Sequence, residues 1–258
     1  MLKISNVKVY GLEESIIASG YPMLSKPYTN SDFEDKAADI NSILFFDSES
    51  KADLTWAEKR IKTAKHLGGT NLGEGHSTYL SGIVVQFDVR YPVYWTPQFQ
   101  RYHFQQIISS QSSMHRLTKM NLDESFNEFV LPEMKMKLRN LINIYNEALS
   151  KGQKTLYKCL IKNKLINSLI EISFSLLKEE SFENYEVINE EISIEDLYMY
   201  IISNCPQGLE KTMRVSTNYL QLKTMYLQRK NHKLYDWHEF CQWIETLPYF
   251  KKLTGIES

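Results

Sequence analysis

The sequence is poor in cysteine, proline and glycine, and it lacks any long apolar run. Seven Pro and ten Gly are too few for a collagen-like or disordered chain. The three cysteines, Cys159, Cys205 and Cys241, are odd in number, far apart and never spaced C-x-x-C. That pattern speaks against a disulfide framework or zinc knuckle and for a reducing compartment. No H-E-x-x-H or comparable cluster occurs, and His232 and His238 have no ligand companions, so no metal is expected. A G-x-G-x-x-G or Walker loop is also missing, which excludes a nucleotide held in the Rossmann manner. No stretch supplies the ~20 apolar residues of a membrane span. Residues 165–177 come closest and are interrupted by Asn167, Ser168 and Glu171. Residues 1–10 contain no continuous apolar run of the signal-peptide kind. The expectation is a cytoplasmic protein with no membrane partner.

What is present is ordinary globular composition, 43% hydrophobic and 24% charged, in a chain of 258 residues that can bury a sizeable core. The formal net charge is −1, so no global field recruits nucleic acid, and direct nucleic-acid binding is not expected. Any anion site must be local.

Patterning predicts a mixed fold. Residues 7–10 read as a short strand, followed by a turn at Gly20-Tyr21-Pro22. Residues 25–53 are polar and read as loop with a short strand at 43–46. A helix over 55–66 stops at Gly68-Gly69. Residues 83–90 alternate, with Ile83, Val85, Phe87 and Val89 on one face and Gln86, Asp88 and Arg90 on the other, which predicts a half-buried strand. Pro92 and Pro97 separate it from a helix near Gln98. Helical spacing recurs over 134–149 and ends at Gly152. Further helices are read over 156–178, 209–230 and 237–247, the last with Asp236 as its cap, and an acidic loop over 179–191. Ser193-x-x-Asp196 is a capping-box signature for a helix ending near Cys205-Pro206. Tyr102 and Phe104 read as core, and Trp237 and Trp243 as packing or subunit interface. The fold class is α+β, a small antiparallel sheet flanked by several helices.

Acid disappears from two places. Between Asp88 and Asp123 there is no Asp or Glu, while Arg90, Arg101, His103, His115, Arg116 and Lys119 occur. Between Glu210 and Asp236 there is again none, while Lys211, Arg214, Lys223, Arg229, Lys230, His232 and Lys233 occur. A phosphate site needs cations with no carboxylate competing for them, and Arg suits a two-oxygen grip. A solvated charged face produces the same composition. Gln98 and Arg101 share a helix face at i and i+3, and Ser109 to Ser113 adds hydroxyls and an amide that suit a phosphate, a base edge or an exposed turn.

Ordered motifs narrow these options. Gly75-His76-Ser77-Thr78, Gln86-Phe87-Asp88-Val89, Pro92 and Gln98-Phe-Gln-Arg101-Tyr102-His103 resemble, in order and spacing, the G-H-x-[ST], strand, Pro and Q-x-x-R-H-R elements of the flavin-dependent thymidylate synthases. Cys205-Pro206, Asn218 and Gln228-Arg229 resemble a second block of that family, an L-P, an Asn and an L-R pair. The acid-free segments coincide with the two blocks.

The resemblance implies a thymidylate synthase-complementing-like fold over residues 1–258, with a helical insertion at about 154–194. It implies a homotetramer with sites at subunit junctions, binding FAD and deoxyuridine monophosphate, with methylenetetrahydrofolate and NADPH as co-substrates. Arg229 would act on the pyrimidine ring as the catalytic residue. Gln98, Arg101, Gln111, Ser113 and His115 would bind the substrate nucleotide. His76, Thr78, His103 and Asn218 would line the flavin site.

The departures are concrete. Tyr102 and His103 replace the H-R of R-H-R, and Ser81-Gly82 replaces an E-H pair. Gln111, Ser113 and His115 come two residues late, and Ile202 and Leu220 stand where the family has arginines. Two further readings therefore stand beside the enzyme: a non-catalytic nucleotide sensor, sequestering or regulatory protein on the same fold, and a helical interaction protein.

Overall fold

The computed structural model describes residues 2–46 and 55–256, and the end of the segment read as polar loop, 47–53, lies outside them. Two compact units emerge. The first comprises residues 1–91, 95–110 and 212–258, and the second residues 92–94 and 111–211.

The first unit is built on a four-stranded sheet in the order β1-β2-β7-β3. Its strands are β1 (Lys3–Tyr10), β2 (Val84–Pro92), β3 (Gln106–Ser110) and β7 (Glu210–Asn218). β1 pairs antiparallel with β2, and β3 with β7. The inward face is the one the alternation predicted: Ile83, Val85, Phe87 and Val89 are fully buried. Each such side chain stabilises the fold by roughly 1.5–3 kcal/mol. Helices α1 (Leu12–Ala18), α2 (Asn30–Phe45), α3 (Thr55–Gly68), α4 (Thr96–Phe99), α8 (Tyr219–Arg229), α9 (Tyr235–Glu245) and α10 (Phe250–Thr254) complete it.

Several elements differ from their sequence reading. Residues 30–45 are helix rather than loop and strand, because Thr29 and Asp32 form a reciprocal capping box and Ile40 and Leu44 supply an i,i+4 buried stripe. Residues 210–218 are strand rather than the start of a helix, because Met213, Val215 and Thr217 point inward at period two. Asp236 lies buried within the first turn of α9, whose N-cap is Leu234. Trp237 and Phe240 are fully buried in an aromatic cluster with Trp95, Phe99 and Phe87, so they offer no subunit surface. Phe104 is 71% exposed rather than core.

The second unit holds α5 (Ser113–Arg116), α6 (Pro132–Ser150), α7 (Ile194–Ser203) and a three-stranded antiparallel sheet in the order β5-β4-β6. The strands are β4 (Thr155–Asn163), β5 (Ser168–Ser175) and β6 (Tyr185–Ser193). Leu117, Leu138, Leu156, Leu197, Ile201 and Leu209 anchor its core. α7 opens on the Ser193–Asp196 capping box read from the sequence.

The expected helix over 156–178, the acidic loop over 179–191 and hence the helical character of the insertion at 154–194 are corrected by this sheet. The chain reverses at Asn163, whose Oδ1 accepts the N–H groups of Leu165 and Ile166, and at Asn167, which adopts φ 47°. β-Branched residues Ile161, Ile170 and Ile172 suit the pleated surface. Lys158 and Glu190 face each other directly in the β4–β6 register and form an ion pair, so the acidic composition of 179–191 serves a strand face.

Candidate functional site

β2 delivers the chain to α4, where Pro97 sits in the first turn and Gln98 faces the end of α8. The Gln98 Oε1 accepts from Trp237 Nε1 at 2.8 Å and from Arg229 Nη1 at 3.4 Å. Arg229, the last residue of α8, donates from Nε to the Tyr102 hydroxyl at 2.7 Å. Its guanidinium lies 4.8 Å from the Trp237 ring centroid and 5.6 Å from that of Tyr102. Such partly desolvated cation–π contacts contribute roughly 0.5–2 kcal/mol each. Gln98 and Arg229, from the two acid-free segments, are therefore parts of one structure.

Electrostatics follow from this enclosure. Burial, opposed by Arg229, raises the Tyr102 pKa, so the side chain is a neutral phenol at physiological pH. His232 lies just beyond α8, accepts the Leu234 N–H on Nδ1, and offers its carbonyl to His238 Nε2. Desolvation, then Arg229 and His238, lower its pKa, so it adds no second cation at neutral pH.

The start of α8 fixes the rest. Asn218 caps the helix, its Oδ1 accepting from the Gln221 N–H at 2.9 Å. Buried Gln221 accepts the Phe104 N–H, and Thr217 donates to the Phe104 carbonyl. Residues 102–104 thus run along α8, leaving Arg101 and His103 exposed. The turn His76–Gly82 packs against α8, and the Tyr219 N–H donates to the Ile83 carbonyl. On that turn His76 and Thr78 are exposed, and Thr78 Oγ1 donates to the Gly75 carbonyl. The buried Lys223 donates to the carbonyls of Gly68 and Thr70, both at 2.7 Å, tying α8 to the end of α3. Gln111, Ser113 and His115 belong to the second unit, where Ser112 caps the short α5 by accepting the His115 N–H.

The sequence reading missed Trp237, Tyr102 and His232 as site partners. A polar aromatic tip beside an Arg is a visible signal, but Trp237 lies 139 residues from Gln98 and nothing local joins them.

Two chemical properties bear on use. The thiols are poor nucleophiles: burial pushes Cys205 to about 11 and Cys241 to about 12, and raises Cys159 as well. Among the described residues no group of three His, Cys, Asp or Glu could hold a metal. The residues around α8 suit an anionic aromatic cofactor. Arg101, His76 and His103 are exposed donors, the Asn218 amide nitrogen has no partner among the described residues, and Gly75 has open space where a Cβ would stand.

The architecture is α+β with small antiparallel sheets, and a strand-to-helix unit (β7–α8) ends beside α4. That is the fold of the flavin-dependent thymidylate synthases. The chain is similar to ThyX from Helicobacter pylori solved with FAD and dUMP, at 13% identity over 97% of each chain with a TM-score of 0.52. A second structure of that protein with FAD and dUMP gives 12% identity, 98% and 96% coverage, and a TM-score of 0.53. No protein-family model and no curated protein matches the sequence. No helix among the described residues is long and apolar enough to cross a membrane.

Proposed function

We propose that this protein is a flavin-dependent thymidylate synthase-type enzyme that binds a deoxyuridine monophosphate-like nucleotide at Gln98 and Arg229. The observation that carries the reading is the Gln98–Arg229–Trp237 contact set, which brings both acid-free segments together on the fold seen in structures holding FAD and dUMP. Arg229 is the polarising residue: a guanidinium fixed on two sides can hold charge that develops on a pyrimidine carbonyl without reorganising. Gln98 and Arg101 bind the nucleotide; Gln111, Ser113 and His115 are the further substrate-binding residues that the family resemblance implies. His76, Thr78, His103 and Asn218 hold FAD, which when bound supplies hydride. Methylenetetrahydrofolate is the one-carbon donor and NADPH the reductant. High thiol pKa values support a route that needs no cysteine nucleophile. A cytoplasmic homotetramer is the working assembly.

A second reading, a non-catalytic nucleotide binder, is favoured by Ile202 and Leu220 in place of arginines. Each charge-assisted hydrogen bond lost is worth roughly 1.5–3 kcal/mol. The absorption spectrum of the purified protein, with calorimetric titration of dUMP, tests both. Flavin bands near stoichiometry together with dUMP binding support the enzyme. Nucleotide binding without flavin uptake supports the second reading, and binding of neither removes both.

A further inference from the structure

The side-chain amide of Gln98 has only one possible orientation. An indole N–H and a guanidinium N–H can only donate, so the atom they both approach must be the amide oxygen. Trp237 and Arg229 thereby fill both lone pairs of Oε1. The amide nitrogen, with two N–H donors, has no partner among the described residues, and Gln98 is half-buried rather than sealed. Tyr102 receives the Arg229 Nε–H on its oxygen and keeps its own O–H to donate. Arg229 retains Nη2, which has no partner among the described residues. The edge built by α4, α8 and residue 102 therefore offers donors from all three side chains.

We propose that Trp237 is a specificity-determining positioning residue, which locks the Gln98 amide so that the site takes a keto pyrimidine and rejects an amino pyrimidine. The inference rests on the proposed nucleotide site. Uracil presents an oxygen acceptor at ring position 4, where cytosine presents an amino donor. An N–H placed against that amino group leaves two buried donors facing each other, and discrimination by an unpaired polar group is far stronger than discrimination by size. Trp237 acts through Gln98 and does not itself meet the base. It is 0% exposed and sits in the aromatic cluster, so the lock is itself rigid.

The test is calorimetric titration of wild type, Trp237→Phe and Gln98→Glu with dUMP and dCMP, each variant checked by thermal melting. Wild type is expected to bind dUMP at least tenfold more tightly than dCMP. Trp237→Phe keeps the packed ring but removes the shorter of the two contacts, leaving Oε1 held only by Arg229 at 3.4 Å, and the preference should shrink at least fivefold, mainly by tighter dCMP binding. Gln98→Glu presents only acceptors and should reverse the preference. If Trp237→Phe does not fold, a preference left unchanged in Gln98→Glu still overturns the inference, because the lock requires residue 98 to read the base. Wild type binding dUMP and dCMP equally would overturn the inference while leaving the nucleotide site standing. So would Trp237→Phe weakening both ligands alike with the preference intact. Failure of wild type to bind dUMP would remove the proposed function and this inference with it.

Discussion

Replacing Arg229 separates its two jobs, holding the aromatic cluster and meeting the ligand. In Arg229→Ala the Tyr102 hydroxyl loses a 2.7 Å bond, Gln98 loses a 3.4 Å bond, and the faces of Trp237 and Tyr102 lose a cation. A hydrogen bond to a charged group is worth roughly 1.5–3 kcal/mol and the cation–π contacts roughly 0.5–2 kcal/mol. Water enters the space and re-solvates Tyr102, which offsets part of the loss, so destabilisation of about 1–3 kcal/mol is expected. For the ligand, one charge-assisted bond lost is worth roughly 1.5–3 kcal/mol, or about ten- to a hundredfold in affinity. Arg229→Lys keeps the charge but has one donor centre instead of a planar fork, so it cannot serve Tyr102, Gln98 and a ligand together. It should recover much of the stability and little of the affinity. Urea denaturation and calorimetric titration with dUMP measure the two separately. An Arg229→Ala protein that binds dUMP within threefold of wild type would refute the placement of the nucleotide at the end of α8.

Lys223→Met should destabilise the protein by about 2–4 kcal/mol in chemical denaturation, because it leaves the Gly68 and Thr70 carbonyls without their buried donor. A smaller loss than 1 kcal/mol would mean that water replaces the ammonium. Asn218→Ala should cost about 1 kcal/mol through the lost cap, with Asn218→Asp near wild type, both read by thermal melting. His232 has a folded-state pKa below its ordinary 6.5, so the unfolded chain binds the extra proton first. Stability attributable to it is therefore intact above that value, falls as pH drops through it, and levels off once the folded pKa is passed. The decline between pH 7 and 5 should be shallower in His232→Asn. Finally, the buried thiols Cys159 and Cys241 should resist a thiol-labelling reagent at pH 7.5 in the native state and react on unfolding.

What the sequence discloses and conceals here has a physical basis. The alternation at 83–89 was legible because four apolar side chains at period two admit one reading, and all four are buried. The Ser193–Asp196 box was legible because both halves of a cap lie three residues apart. Thr29 and Asp32 form the same box, but the helix behind them buries only Ile40 and Leu44, too thin a stripe to stand out from polar neighbours. The segment 156–178 misled because its apolar residues, interspersed with polar ones, suit helix and hairpin alike, and the Asn163 and Asn167 turn divides it. Residues 210–218 misled because Thr217, a polar side chain, is the third inward position of β7. The two acid-free segments were legible because exclusion of charge of one sign is written in composition. The orientation of Gln98 was not. It depends on Trp237, supplied by an element 139 residues away, and on the fact that both of its neighbours are obligate donors. Composition can therefore mark where an anion would be tolerated, whereas the orientation of the Gln98 amide lies in a long-range contact that only the folded chain creates.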